Sequence, residues 1–227
     1  MKIKILRQVA PFTEAYWETF SAEVPEEMSV AGLISHLNYN DDITTIEGKK
    51  TTRIGWECSC LQGVCGGCAM VICGVPALAC ETFVRDLVKK PDDVITIEPL
   101  KKFPVIHDLV VDRTGIQENL KKSNIYIGEY TQQEEKEFSH QYAAAKCLKC
   151  GLCLEVCPNY ARGEHFYGAL FANDCYLVAT RSKEKSPHIK EVYKEHFGRS
   201  CSKSLSCMDV CPMNIPTIAS IAKMNRG

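Results

Sequence analysis

Cysteine is the residue whose chemistry dominates this chain: fourteen are present, and eleven fall into three spaced groups. The first is Cys60-x4-Cys65-x2-Cys68, completed by Cys80. The second is Cys147-x2-Cys150-x2-Cys153-x3-Cys157, followed by Pro158. The third, Cys201-x2-Ser204-x2-Cys207-x3-Cys211-Pro212, repeats the second with a serine in one cysteine position. Thiolates are soft donors that suit iron–sulfur clusters. The first spacing is that of a plant-type 2Fe-2S site, and the second is the bacterial ferredoxin run. Zinc is the competing chemistry. Four-cysteine zinc sites favour paired Cys-x2-4-Cys knuckles, which the x4-x2 spacing and the Cys-Pro endings do not match. The chain therefore reads as an electron conductor.

In two-cluster ferredoxins the fourth cysteine of each run serves the other cluster. On that pattern Cys147, Cys150 and Cys153 are completed by Cys211 as a 4Fe-4S site. Cys157 then joins Cys201 and Cys207, and Ser204 stands where a fourth thiol would be. A hydroxyl is a harder donor than a thiolate, so the corner at Ser204 is expected to be vacant and the cluster to be 3Fe-4S. A 4Fe-4S cluster with one oxygen ligand is the alternative. At the first site Cys60, Cys65, Cys68 and Cys80 are the expected 2Fe-2S ligands. Gly63, Gly66 and Gly67 let the loop wrap closely there, with backbone N–H groups free to bond the sulfurs. Cys58, Cys73 and Cys175 remain, and are expected to be small, partly buried, reduced residues. No histidine pair accompanies the first group, so a Rieske site is not expected. His107 and His165 are expected to pack or face solvent rather than ligate.

The elements that must hold these groups read as α+β. With 227 residues there is room for two compact domains. Ile3 and Ile5 alternate with lysines, and Phe20, Ala22 and Val24 alternate with polar residues, as strands do. Ser29 can cap a helix whose Val30, Leu33, Ile34 and Leu37 share one face. Ala69–Ile72 and Val94–Ile97 read as further strands. Beyond Pro104 the pattern is helical. Thr131-x-x-Glu134 is a capping box opening a helix to about Lys146, and His188–Phe197 and Ile215–Met224 are two more. The expected division is a 2Fe-2S domain over residues 1–104 and a helical two-cluster domain over 105–227.

A net charge of −1 provides no bulk field to draw the chain to nucleic acid or anionic lipid. No apolar run approaches the roughly 20 residues of a membrane helix. Strand-like alternation begins at once, with no signal peptide expected. So many thiols with cluster spacing, beside 45% hydrophobic residues, fit a reduced compartment better than a secreted disulfide scaffold.

The ordered set resembles the iron–sulfur subunit of succinate dehydrogenases and fumarate reductases. The likeness runs through Gly63-Val64-Cys65-Gly66-Gly67-Cys68-Ala69-Met70 and Leu78-Ala79-Cys80. It continues through Pro104-Val105-Ile106-His107-Asp108-Leu109-Val110-Val111-Asp112, Cys157-Pro158 and Cys211-Pro212. It implies a ferredoxin-like β-grasp domain followed by an α-helical ferredoxin domain. It also implies an FAD-containing flavoprotein subunit where succinate and fumarate interconvert. Electrons would run through 2Fe-2S, 4Fe-4S and 3Fe-4S to a quinone-binding membrane anchor, or back. On this resemblance the chain has no substrate-binding catalytic residue of its own and sits peripherally on the cytoplasmic face of the membrane.

Three positions depart from that pattern. Ubiquinone-linked relatives carry a tryptophan pair after the second run and a histidine after the first cysteine of the third; here stand Asn159-Tyr160 and Ser202. Leu61 replaces the usual arginine beside Cys60. Menaquinone or another acceptor fits these better than ubiquinone. Two rival readings keep less of the resemblance: a soluble, thiol-linked flavoprotein reductase without quinone, and a free-standing iron–sulfur carrier or sensor.

Overall fold

The computed structural model describes residues 1–39, 42–90, 92–132 and 135–226. They form two compact units, Met1–Asp112 and Arg113–Gly227.

The first unit opens with β1 (Lys2–Arg7) and β2 (Tyr16–Ser21), then α1 (Val30–Leu37). A short pair, β3 (Ile43–Thr44) and β4 (Lys50–Thr51), precedes the cysteine loop. After it come β5 (Ala69–Ile72), β6 (Val75–Leu78), α2 (Val84–Leu87) and β7 (Val94–Glu98). The main sheet runs β2-β1-β7-β5-β6, with β1 and β7 parallel and the other neighbours antiparallel. This is the β-grasp arrangement that the family resemblance implied.

The causes are local. Ile3 and Ile5 are fully buried on one face of β1 while Lys2 and Lys4 point outward. Ser29 Oγ accepts the Gly32 N–H at 3.1 Å, capping α1, and Val30, Ala31, Leu33 and Ile34 are buried. The alternation through Ala22 and Val24 outlasts the strand. Ala22 still bonds the Met1 carbonyl at 3.2 Å, but β1 begins at Lys2 and offers no further partner. Cys73-Gly74, with φ of +48° and +80°, makes the two-residue turn between β5 and β6.

Residues 105–112 belong with the first unit, eight residues beyond the expected boundary at 104. They form the small hairpin β8 (Val105–His107) and β9 (Val110–Val111) around Asp108. Asp108 is 1% exposed; its N–H bonds the Gln8 carbonyl at 2.7 Å and its Oδ2 accepts the Gly55 N–H at 2.8 Å. Its Oδ1 meets Arg7 Nε at 3.0 Å, and Arg7 also reaches Glu18 Oε2 at 2.6 Å. One buried guanidinium thus neutralises two buried carboxylates. Replacing it leaves both without their guanidinium partner, so Arg7→Met is expected to destabilise this unit by about 3–5 kcal/mol. Denaturant midpoints of the full chain measure it. A loss below about 1 kcal/mol, the range of an exposed pair, would contradict the assignment.

The second unit is helical: α3 (Thr114–Lys122), α4 (Glu135–Ala145), α5 (Leu152–Glu155), α6 (Gly168–Arg181) and α7 (Ser186–His196). A 3-10 turn at Gly198–Ser200, α8 (Ser206–Asp209) and α9 (Thr217–Asn225) complete it. The mostly buried α6 is the hub, packing against α4, α5, α7 and α9. Pro187 in the first turn starts α7 two residues before the expected His188. The capping-box reading ends on Glu134, outside the described residues. Thr131 itself is engaged elsewhere: its Oγ1 accepts the Lys183 N–H at 3.2 Å. Among the described residues no helix is long and apolar enough to cross a membrane.

Candidate metal centres

Register builds the first centre. Ala69 pairs with Leu78 at the open end of the β5–β6 hairpin, so Cys68 and Cys80 flank that end. Their sulfurs lie 3.4 Å apart, both buried. Cys60 and Cys65 come from the preceding loop, where the Cys65 side chain helps draw the Cys60 thiol down. Backbone N–H groups point at this sulfur set: Gln62 to Cys60 at 3.3 Å, Gly63 to Cys80 at 3.3 Å, and Gly67 to Cys65 at 3.4 Å. The Gly63 bond ties the loop to the hairpin, so all four expected thiols gather at one place.

The loop's glycines divide the labour. Gly63 and Gly66 have φ of +70° and +77°, conformations costly for a residue with a Cβ. Gly67 is not so strained; like Gly63, it contributes an N–H to a cysteine sulfur. Leu61 adopts φ +53° and is half exposed. N–H bonds from Gln62 and Val64 bring the Cys60 thiol down to about 7. At Cys80 burial dominates, reinforced by the Cys68 thiol, and the value rises to about 12. The chain's own groups thus favour thiolate at the loop's start and a neutral thiol beside the sheet.

In the second unit the cysteines pair across the runs. Cys147 and Cys150 lie in the turn before α5, shaped by Lys149 at φ +56° and Gly151 at φ +91°, while Cys153 is within α5. One pocket is bordered by Cys147, Cys150, Cys153 and Cys211, with apolar Ala169, Leu170 and Ile215. A second is bordered by Cys157, Cys201 and Cys207, with Phe166, Phe197 and Ile218. Burial pushes the Cys153 thiol well up, and Cys150, Cys147, Cys207 and Cys211 add to it. Burial also raises Cys207 to about 11, helped by Cys157 and Cys201. Cys207 borders both pockets. Convergent soft donors in an apolar surround suit iron–sulfur clusters.

Ser204 borders the second of these pockets and lies exposed in the loop before α8, its Oγ 3.4 Å from that of Ser206. Lys203 and Leu205 on either side have φ of +59° and +63°.

Two expectations are corrected. Cys58 and Cys73 are exposed rather than partly buried: one precedes the cysteine loop and the other occupies a hairpin turn. Cys175 is fully buried in α6, where burial holds its thiol far above the ordinary value. His107 packs as expected, with Nδ1 3.0 Å from the Val9 carbonyl and Nε2 3.2 Å from Asp108. His165 faces solvent.

Sequence reasoning missed a charge pair beside the second group. Lys149 and Asp174 form an ion pair, with Asp174 on α6. Burial lifts the Asp174 carboxyl, opposed by Lys149. Burial works against the Lys149 ammonium, but Asp174 and Cys147 hold it above its usual value. Burial lifts the Cys147 thiol and Lys149 opposes it, so Lys149 is a fixed positive charge at that pocket. The available signal was Asp174 itself, an acid amid the apolar residues of α6.

Comparison with known proteins agrees with this arrangement. Residues 2–118 match a 2Fe-2S iron–sulfur cluster binding domain, and residues 146–214 a 4Fe-4S double cluster binding domain. The succinate dehydrogenase iron–sulfur subunit of Bacillus subtilis is 32% identical, over 98% of this chain and 90% of its own length. The fumarate reductase iron–sulfur subunit of Escherichia coli O157:H7 is 28% identical, over 97% and 90%. A chain of the Mycobacterium smegmatis Sdh1 complex in the apo form shares the fold, with a TM-score of 0.78 at 23% identity, covering 99% of this chain and 95% of that one. Cysteine spacing, fold and likeness over the full length agree: the chain belongs to the iron–sulfur subunits of the succinate dehydrogenase and fumarate reductase family, electron-transfer components of oxidoreductase complexes.

Proposed function

We propose that this chain carries electrons between an FAD-containing flavoprotein subunit and a quinone-linked membrane anchor, with eleven cysteines as ligands. Cys60, Cys65, Cys68 and Cys80 would hold 2Fe-2S; Cys147, Cys150, Cys153 and Cys211 would hold 4Fe-4S; Cys157, Cys201 and Cys207 would hold 3Fe-4S. When bound, these clusters supply one-electron redox centres. The chain's own part is to hold thiols in position, shield them with apolar walls, and present N–H donors and Lys149 to the sulfurs.

The observation that carries the reading is the exchange between runs: Cys211 stands among the thiols of the second group, and Cys157 among those of the third. The family likeness supports the partners, and with them a peripheral place on the cytoplasmic face of the membrane. Anaerobic iron and sulfide analysis with electron paramagnetic resonance tests the cluster content. About nine irons in three distinct clusters are expected. Four irons or fewer, or zinc held by the cysteines in place of iron, would overturn it.

A soluble flavoprotein partner without quinone is the second reading. Asn159 and Ser202 favour it, because both border the third group's pocket where the likeness to ubiquinone-linked enzymes breaks. Purification of the native complex separates the two: a multi-span heme protein accompanies the chain in the first, and a flavoprotein alone in the second.

A further inference from the structure

His165 lies just ahead of α6 and His196 ends α7, yet their rings come within 4.6 Å, centroid to centroid. Glu195 joins them. One donor atom from each of the three side chains lies within 4.8 Å of the other two. None of the three belongs to a cysteine group. His165 and His196 adjoin Phe166 and Phe197, whose stacked rings line the third group's pocket; His165 and Glu195 are exposed.

The His196 ring is held from several directions. Tyr167 stacks on it at 4.0 Å, tilted by 11°, and Phe171 meets it edge-on at 6.1 Å. Its Nδ1 lies 3.1 Å from the His165 carbonyl. A ring N–H donated to a backbone carbonyl sets the tautomer, so Nδ1 carries the proton and Nε2 presents a lone pair. That Nε2 faces Glu195 Oε1 at 3.8 Å. A lone pair beside a carboxylate is an arrangement that either a proton on Nε2 or a bound cation relieves. The His165 ring has no hydrogen-bond partner among the described residues, so it can turn toward the same point.

We propose that His165, Glu195 and His196 bind a divalent transition-metal ion of the zinc class. Two imidazoles and a carboxylate are a zinc donor set, and a fourth position would remain for water. Hard cations such as calcium and magnesium take oxygen ligands and are poorly matched. The three donors already face one corner, and the exposed His165 and Glu195 side chains can turn toward the fixed His196 ring.

The test uses the full chain with its iron in place, prepared anaerobically and titrated with zinc. Bound zinc and iron are counted by elemental analysis, and the zinc shell is read by X-ray absorption. One added zinc per chain is expected, with nitrogen and oxygen neighbours at ~2.0–2.1 Å and no loss of iron. His165→Asn and Glu195→Gln, both at exposed positions, are each expected to weaken binding by about 100-fold or more with iron content unchanged. The proposal is overturned if no zinc is retained, if both variants bind as the parent does, or if sulfur neighbours appear at ~2.3 Å, which would put the zinc on cysteines.

Discussion

Ser204→Cys is expected to add one iron per chain, raising the total from about nine to about ten, and to abolish the 3Fe-4S signal of the oxidised protein. On the proposed ligand set the parent cluster has Ser204 rather than a thiol at one corner, and an iron there would be readily lost. The position is suited to the change. Ser204 borders the pocket with Cys157, Cys201 and Cys207, and lies exposed in a loop, so a thiol can be introduced without disturbing buried packing. Its stability cost is expected to be small, within about 0.5 kcal/mol. The added iron changes the cluster's charge and lowers its potential, slowing exchange with a quinone-type acceptor. Iron analysis and electron paramagnetic resonance on anaerobic protein decide the matter. About ten irons and no 3Fe-4S signal in the parent would mean that Ser204 does not mark a vacancy.

The second large effect separates the two ligand sets of the helical unit. Cys211→Ala is expected to cost the 4Fe-4S cluster, about four irons, although Cys211 lies in the third run. Cys157→Ala is expected to cost the 3Fe-4S cluster, about three irons, although it lies in the second. The physical basis is proximity: Cys211 borders the pocket of Cys147, Cys150 and Cys153, while Cys157 acts on Cys207 across the other. Loss of only the 3Fe-4S signal in Cys211→Ala would reverse the assignment. Cys207 borders both pockets, so spectra must identify which cluster survives rather than rely on iron loss alone.

Much of this was legible in the sequence because cluster ligation is largely a local demand. Three thiols of a site must converge within one short loop, so x4-x2 and x2-x2 spacings survive as a readable code. The capped helix at Ser29 and the strands at Ile3, Ala69 and Val94 were legible for a similar reason, since their period and caps lie within a few residues. The boundary at 104 was less so. What attaches residues 105–112 to the first unit is Asp108, bonded to Arg7, Gln8 and Gly55 far back in the chain.

By itself, then, the sequence determined the thiol groups, their iron–sulfur character and the order of a strand-rich and a helical half. Tertiary structure decided what depends on contacts between distant segments. It placed the Cys73 thiol in solvent, because that residue fills a hairpin turn, and set Lys149 beside Asp174. It also brought His165 to His196, thirty-one residues later in the chain. The difference is one of range: ligand spacing and helix caps are written in neighbouring residues, whereas the Lys149–Asp174 pair forms only when the turn before α5 meets α6, and the histidine pair only when α7 packs back on α6.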